Sequence, residues 1–566
     1  MTKPIGLLAR ISLQMRTPRL LALIPLALAA CGGATGGKPA KAPAMPAGVG
    51  HDAGFAAPAA VDIAKAREKH LEQGFGWMPY EAASFAKAKA EKRFILIDGA
   101  AEWCHWCHVM DETTYRDPTI GKILSEKFVA IRVDIDARPD LAERYGEWGW
   151  PATILLSPDA EEIGKFRGYL EPEKLRAALE DVTSMTLMAK TKTDAPELRP
   201  APVEALSWIG ARSARDLDTW WDSDEGGWGR KQKAPIGVDV EFELRRALHG
   251  DASGKQRATF TLTKQRSLLD PVWGGVYQYS ADSTWAAPHF EKLMTVQAAS
   301  LEAYARAYQV TKDAAFLVDA RAVSGYMQTF LGAPDGTFYA NQDADVGAHD
   351  HAVPFVDGHV YYSKDDAGRR ALGIPWVDTH VYGRENGLAI SALCTLYEVS
   401  KDAAVLARAR KAADAILASH VLSDGTVLHD ASKKEGPFFL ADAAAFARAL
   451  GRLAEVSGEK VYKEKAVLVG DALVTNFVDA KSGGLWASTV DPNAAGVFGH
   501  REQPFTYVVA AARAFSTLSK ITGDARWNER AKKALAAIAT PKGLEDQGRW
   551  VGEFLLALDD AAVMPW

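Results

Sequence analysis

Cysteine is scarce in this chain, four residues in 566. That excludes a small fold stapled by disulfides, which needs pairs at close intervals. The apolar stretch Leu20 to Ala30 is too short to span a bilayer. Basic clusters are missing too: 66 Lys and Arg are interspersed with 72 Asp and Glu, a formal charge of -6, which gives nucleic acid nothing to bind. The tryptophan, glycine and proline consensus of tetratricopeptide repeats is also absent. What is present is length and tryptophan. The chain is too long for one core, so at least two domains are expected, and its 16 tryptophans suit deep clefts or packed aromatic turns.

Lys3, Arg10, Arg16 and Arg19 precede or flank the start of that apolar stretch, the pattern of a targeting segment over residues 1–30, for which Met1 or Met15 would each serve as start. Leu28-Ala29-Ala30-Cys31-Gly32 resembles the bacterial lipoprotein box. The resemblance implies that Cys31 is lipidated and becomes the first mature residue; an ordinary signal peptide cut nearby is the alternative. Loss of residues 1–30 removes four basic residues and no acidic one, taking the charge from -6 to -10. Residues 31–60, rich in Ala, Gly and Pro, form a tether without periodicity. With Gly32 after the cysteine, the resemblance implies a lipid anchor in the bacterial envelope, facing the periplasm, at the outer membrane.

Trp103-Cys104-His105-Trp106-Cys107-His108 reads as a strand-to-helix junction and supports competing chemistries. As C-x-x-C it is a redox dithiol whose first thiol sits at a helix N-terminus, where free amides favour the thiolate. As C-x-x-C-H it is a c-type haem site with His108 as axial ligand. With His105 or Met110 it is a metal ligand set. The surroundings weigh on the choice. Phe94 to Ala100 is a buried-strand pattern carrying one anomaly, Asp98, six residues before Cys104, where it could lie beneath the thiols as a buried proton acceptor. Phe128 to Asp134 reads as a second strand, Pro151 to Leu156 as a third that begins at proline, Lys165 to Tyr169 as an antiparallel return, and Pro172 to Val182 as an amphipathic helix.

Residues 61–190 resemble the thioredoxin fold, through Ile95-Leu96-Ile97-Asp98, Ala101-Glu102-Trp103-Cys104, Cys107 and Pro151. The resemblance implies Cys104 as nucleophile, Cys107 as resolving thiol, Asp98 as buried base and Pro151 as the cis-proline that holds substrate backbone. Trp103, His105, Trp106 and His108 would tune the couple. The cofactor is then the Cys104/Cys107 disulfide itself, with no metal, and the partners are protein thiols or disulfides. Cys394, on an apolar helix face, reads as a buried inert thiol.

From 200 to 566 the pattern changes to Ala- and Leu-rich helices between glycine-aromatic turns at Gly226-Gly227-Trp228, Gly274-Gly275, Gly336-Thr337-Phe338, Gly425-Thr426-Val427 and Gly483-Gly484. They recur every 50 to 60 residues or so, except for one interval long enough to hide a missed repeat. Helices are predicted at Leu293 to Gln309, Ala314 to Leu331, Gly387 to Val399, Ala403 to Ala418, Leu440 to Val456 and Val461 to Phe477. About six hairpins close into an (α/α) barrel, because closure removes the need for polar caps. Joined to the Cys104-to-His108 motif, the residues Gly226-Gly227, Trp285, Pro288-His289-Phe290-Glu291-Lys292 and Asp343-Ala344-Asp345 are similar to the DUF255, or YyaL-like, family. The resemblance implies a multidomain chain, a thioredoxin-like α/β domain followed by an all-α (α/α)6 toroid of the six-hairpin glycosidase kind. His289, Glu291, Asp343, Asp345, Glu385 and Asp222 or Asp224 form a candidate cluster at one barrel mouth. Paired carboxylates there could act on, or bind, carbohydrate; capping helices and pairing with basic neighbours is the plainer role. The function expected is a membrane-tethered thiol-disulfide oxidoreductase, with a carbohydrate-acting toroid regulated by the dithiol as the alternative and a c-type haem protein as the second.

Overall fold

The computed structural model describes residues 63–68, 72–146, 149–184 and 200–566. The targeting segment, Cys31 and the tether lie outside them. Among the described residues no helix is long and apolar enough to cross a membrane.

The first region runs α1 (Ile63–Glu68), β1 (Met78–Pro79), α2 (Ala82–Glu91), β2 (Phe94–Ala100), α3 (His105–Glu112), α4 (Pro118–Lys127), β3 (Phe128–Asp134), α5 (Pro139–Tyr145), β4 (Ala152–Leu156), β5 (Glu162–Arg167) and α6 (Pro172–Ser184). The strands lie in the order β1-β3-β2-β4-β5, with β1, β3 and β2 parallel and β4 and β5 antiparallel. Period-two alternation splits the core. Leu96 and Leu155 face α3, α4 and α6 through Val109, Leu124 and Leu179, whereas Ile95, Ile97 and Ile154 face α2 and α5 through Phe85 and Leu141. Asp98 follows Leu96 by two and so points to the α3 side. The Trp150–Pro151 peptide is cis. The two-residue β1 and helix α4 escape the sequence reading, and β5 begins three residues earlier than expected, since an edge strand needs less apolar patterning.

The second region is a closed ring. It opens with α7 (Leu206–Trp220), α8 (Gly237–Leu248), α9 (Ala252–Gln265), α10 (Met294–Thr311) and α11 (Ala314–Phe330), then two short helices, α12 (Gly358–Tyr362) and α13 (Asp366–Leu372). It continues with α14 (Gly383–Ser400), α15 (Ala403–Ser419), α16 (Leu440–Ser457), α17 (Lys460–Phe477), α18 (Phe505–Thr522), α19 (Ala525–Ile538), α20 (Pro541–Gln547) and α21 (Gly552–Asp560). Helices α8, α10, α14, α16, α18 and α21 each pack on the next, and α21 returns to α8. Outside them α9, α11, α15, α17 and α19 each pack on the preceding inner helix, and α7 packs on α21, so the first and last helices complete the sixth hairpin. The fold is an (α/α)6 toroid.

Local chemistry sets both ends of this ring. At one end inner helices stop on a left-handed residue followed at once by an acidic N-cap: Lys312-Asp313, Lys401-Asp402 and Gly523-Asp524, where each aspartate accepts from the amide two residues on. At the other end, the mouth, lie the glycine turns. In Asp270-Pro271-Val272-Trp273-Gly274-Gly275 the Asp270 amide donates to Gly275 O and the Gly274 amide to Asp270 O, with both glycines at positive φ. A Cβ on Gly275 would strike the Tyr326 ring. The same turn recurs at Asp222 and Asp479. The long interval between turns holds no missed hairpin. It holds an insertion, residues 341–382, with short strands and the helices α12 and α13.

Asp270 is fully buried and accepts from Lys292 Nζ at 2.6 Å and from Arg369 at 2.7 Å, both also buried. Its loss strands two cations. Asp270→Asn should lower toroid stability by about 3 to 5 kcal/mol in urea unfolding; a loss under about 1 kcal/mol would mean that the cations find other partners.

Candidate functional site

Strand β2 delivers the chain to Cys104, which is the N-cap of α3, and its sulfur accepts the Cys107 amide at 3.2 Å. Cys104 and Cys107 are paired in a disulfide, 4% and 5% exposed. Cis-Pro151 precedes β4, which pairs with β2, so the dithiol, Pro151 and Asp98 belong to one end of one sheet. Asp98 is buried, but it is not solitary: Arg132 donates to Oδ2 at 3.0 Å and the Tyr115 hydroxyl to Oδ1 at 3.1 Å. Burial pushes its carboxyl up, Arg132 opposes that, and Asp111, also bound to Arg132, adds to it.

The toroid reaches the same place. His105 and His108, three apart on α3, share a face. Asp343 and Asp345 belong to the 341–382 insertion, in a turn just after a short strand where Asp343 Oδ1 accepts the Asp345 amide at 2.9 Å. His105 Nδ1 lies 2.6 Å from Asp345 Oδ2, and His108 Nε2 lies 3.0 Å from Asp343 Oδ2. Burial works against a charged His105, yet Asp345 outweighs it and, with Glu291 and Asp357, carries the imidazole up to about 9. His108 is raised in the same way by Asp343 against its burial. Glu291 accepts the His105 amide at 3.3 Å, and His289 stacks on Tyr279 and packs near Trp106.

Glu385 lies apart from these, buried beside Arg384 and close to the pair His429–Asp442. That pair docks the first region as well, through His429 Nε2 at 2.7 Å from the Asp136 carbonyl. Asp136 in turn accepts from Trp103 Nε1 and from Asn341. Asp222 holds Lys233 and its own turn, the capping role, and Asp224 sits exposed in that turn. The expected mouth cluster therefore divides: Glu291, Asp343 and Asp345 grip α3, His289 lies against Trp106, and Glu385 and Asp222 stand elsewhere. His349, Asp136, Asn341 and His429 complete the junction and carried no local signal in the sequence.

A haem joined through both cysteines would need His108 for its iron, and that nitrogen faces Asp343. Among the described residues two groups have the composition of a cation site, His108, Asp343 and His349, and His105, Asp345 and Asp357, each with ligand atoms within 4.8 Å of one another. Each carboxylate is already matched by imidazole, Asp343 by His108 and His349, Asp345 by His105, and Asp357 by His359 outside the group.

Residues 65–195 match a family model described as Thioredox_DsbH, protein of unknown function, DUF255. Human spermatogenesis-associated protein 20 is 28% identical over 314 residues, 49% of this chain and 40% of the relative, so the chain spans well under half of that relative's length. Thioredoxin of Buchnera aphidicola is 31% identical over 85 residues, 15% of this chain and 74% of the relative. Among solved structures, that of D-mannose isomerase covers 66% of this chain and 99% of its own at 14% identity and a TM-score of 0.48.

The His105 pair has a pH signature. A folded value of about 9 against 6.5 means that its contribution is complete below pH 6.5 and disappears as pH rises through 9. The loss is on the order of 3 kcal/mol. Protection of the α3 amides, the exchange rate divided into its intrinsic value at each pH, should fall across that window in the native chain and stay flat in His105→Gln; equal protection profiles would remove His105 as the clamp.

Proposed function

Since the chain belongs to the thioredoxin-like DUF255 family, we propose that it is a thiol-disulfide oxidoreductase of the bacterial envelope, its exchange centre Cys104 and Cys107 held against an (α/α)6 toroid. One observation carries the reading: a Cys-x-x-Cys pair caps a helix N-terminus beside a cis-proline on a thioredoxin-like sheet. Helix amides at that position stabilise a thiolate on Cys104 over the thiol.

In the reducing direction the Cys104 thiolate attacks one sulfur of a substrate disulfide, forms a mixed disulfide and expels the other sulfur as thiolate. Cys107 then loses its proton and attacks Cys104 Sγ, which closes the internal disulfide and releases the second substrate thiolate. Two electrons pass from the protein dithiol to the substrate, and water protonates the products. The reverse sequence oxidises two substrate thiols. Asp98, its carboxyl raised by burial, takes the Cys107 proton through water, while Arg132 keeps it ionised between turnovers. Pro151 holds the substrate backbone or chain beside Cys104, and Trp103 and Trp106 wall the approach.

Attachment belongs to the same proposal. The Leu28-to-Cys31 box and the tether after it support a lipid-anchored protein on the periplasmic side of the outer membrane, an oxidising compartment that suits a catalytic disulfide. A toroid acting on carbohydrate finds less support, because Asp343, Asp345 and Glu291 are occupied by α3.

Cys107→Ser should accumulate substrate bound to Cys104 as a mixed disulfide, visible as a thiol-reversible mass shift, and Cys104→Ser should trap nothing. Capture by neither variant would end the exchange reading. Asp98→Asn should slow resolution by about 10²-fold and flatten its pH profile. Cys31→Ser should move the protein from membrane to soluble fractions; unchanged fractionation would remove the lipid anchor.

A further inference from the structure

We propose that the dithiol exchanges with low-molecular-weight disulfides and thiols, of about tripeptide size, rather than with folded protein partners. The inference rests on the exchange reading and narrows its substrate. In a bare thioredoxin-like domain the surface around the first cysteine, the cis-proline loop and the following strand is open to a protein. Here the toroid lies over it. Cys104 reaches a cavity of about 350 Å³ whose walls come from both regions, Trp106, Trp150 and Arg167 on one side and Tyr279, Glu291 and Trp550 on the other. A volume of that size holds on the order of twenty non-hydrogen atoms at ordinary packing density, in the range of small-molecule sites and about one tripeptide thiol. The half of the disulfide that becomes bound to Cys104 therefore fills it, and the leaving half lies toward its opening.

Opening that cover for a protein would mean undoing most of the junction at once. Its polar part includes His105–Asp345, His108–Asp343, Asp136 with Asn341 and His429, and Tyr507 donating to the Pro139 carbonyl at 3.1 Å. Its apolar part includes Phe498 of the toroid, set among Tyr80, Phe85 and Tyr145 in the core on the far side of the sheet. A small disulfide needs none of that opening. Aromatic walls take its apolar atoms and Gln232 and Arg167 take its polar ends.

The other face of the disulfide is built differently. Cys107 lines a second cavity, about 380 Å³, with His108, Asp111, Arg132 and His349. Substrate and proton routes are thereby separate. The substrate R–S–S–R enters at Cys104, RS⁻ leaves by the same cavity, the half bound to Cys104 stays against the aromatic walls, and the Cys107 proton departs on the polar side before Cys107 closes the ring and frees the second RS⁻.

The test uses the full chain, reduced and freed of reductant, with oxidation followed by thiol titration in stopped flow. Three probes separate the outcomes: 2-hydroxyethyl disulfide, oxidised glutathione and insulin. Oxidised glutathione should react at least about tenfold faster per disulfide than insulin. Trp550→Ala, altering a half-exposed cavity wall of the toroid, should lower the ratio of the glutathione rate to the hydroxyethyl rate by about tenfold. Insulin reacting as fast as oxidised glutathione would overturn the size selection and leave the exchange reading standing. An unchanged ratio in Trp550→Ala would overturn the cavity as the binding place. No reaction with any probe would remove the exchange reading and this inference with it.

Discussion

Two parallel ion pairs, His105 with Asp345 and His108 with Asp343, are the constraint on which the rest depends. They exist because a helix face meets a turn. Residues three apart on a helix present side chains on one face at roughly 5 to 6 Å, and the turn in which Asp343 accepts the Asp345 amide holds the two carboxylates opposite them. A one-residue slip of either element would turn its partners away. The pairs thus fix the rotation of α3 about its axis as well as its position, and with it the direction in which Cys104 faces. Removing one member of such a buried pair leaves an uncompensated charge, a cost of about 3 to 5 kcal/mol, so the redox helix and the toroid insertion are held in one arrangement.

That arrangement changes what the histidines do for the thiols. An isolated imidazolium beside Cys104 would draw its thiolate down and favour the oxidant. His105 carries its charge, but Asp345 balances it at 2.6 Å, so the net field at Cys104 from the pair is that of a dipole. The dominant help to the thiolate is then the α3 N-terminus, whose Cys107 amide already points at the sulfur. The same logic applies at Asp98, where Arg132 and Asp111 make a charged triad out of what sequence presents as a lone buried carboxylate.

Much of this was legible from sequence, and the boundary is physical. The dithiol, the buried-strand approach, Pro151 and the six-hairpin ring are all announced by local pattern: a continuous apolar run in β2, three and four spacing in α10 through α17, glycines where φ must be positive. Predicted helix ends such as Ala314 and Phe477 agree with the structure because caps and turns are local too. What was not legible is partnership at a distance. Asp343-Ala344-Asp345 at a barrel mouth has the same local signature whether it awaits a sugar or a histidine from a residue some 240 positions earlier. The long interval before Gly425 looked like a lost repeat because length alone cannot distinguish a hairpin from an insertion. The Lys-Asp turns at the end opposite the mouth were open to reading, since a charged residue followed by an N-cap aspartate between two apolar helices is a helix-to-helix turn signal.

The toroid is also electrostatically incomplete without its partner. Asp343 and Asp345 are both buried, and burial together with the charge of Asp343 pushes the Asp345 carboxyl up, against the pull of His105. Take α3 away and two like charges remain in a low-dielectric setting with one fewer imidazole for each, so one must take up a proton or the insertion must open to water. The first region is affected in turn, since His105 and His108 would lose the carboxylates that keep them charged and return toward neutral rings. Each region therefore sets the protonation state of the other. A thioredoxin-like domain excised from this chain would be a different redox centre, with another charge beside its nucleophile and an open face over Cys104, and its potential and substrate preference would not be those of the intact protein.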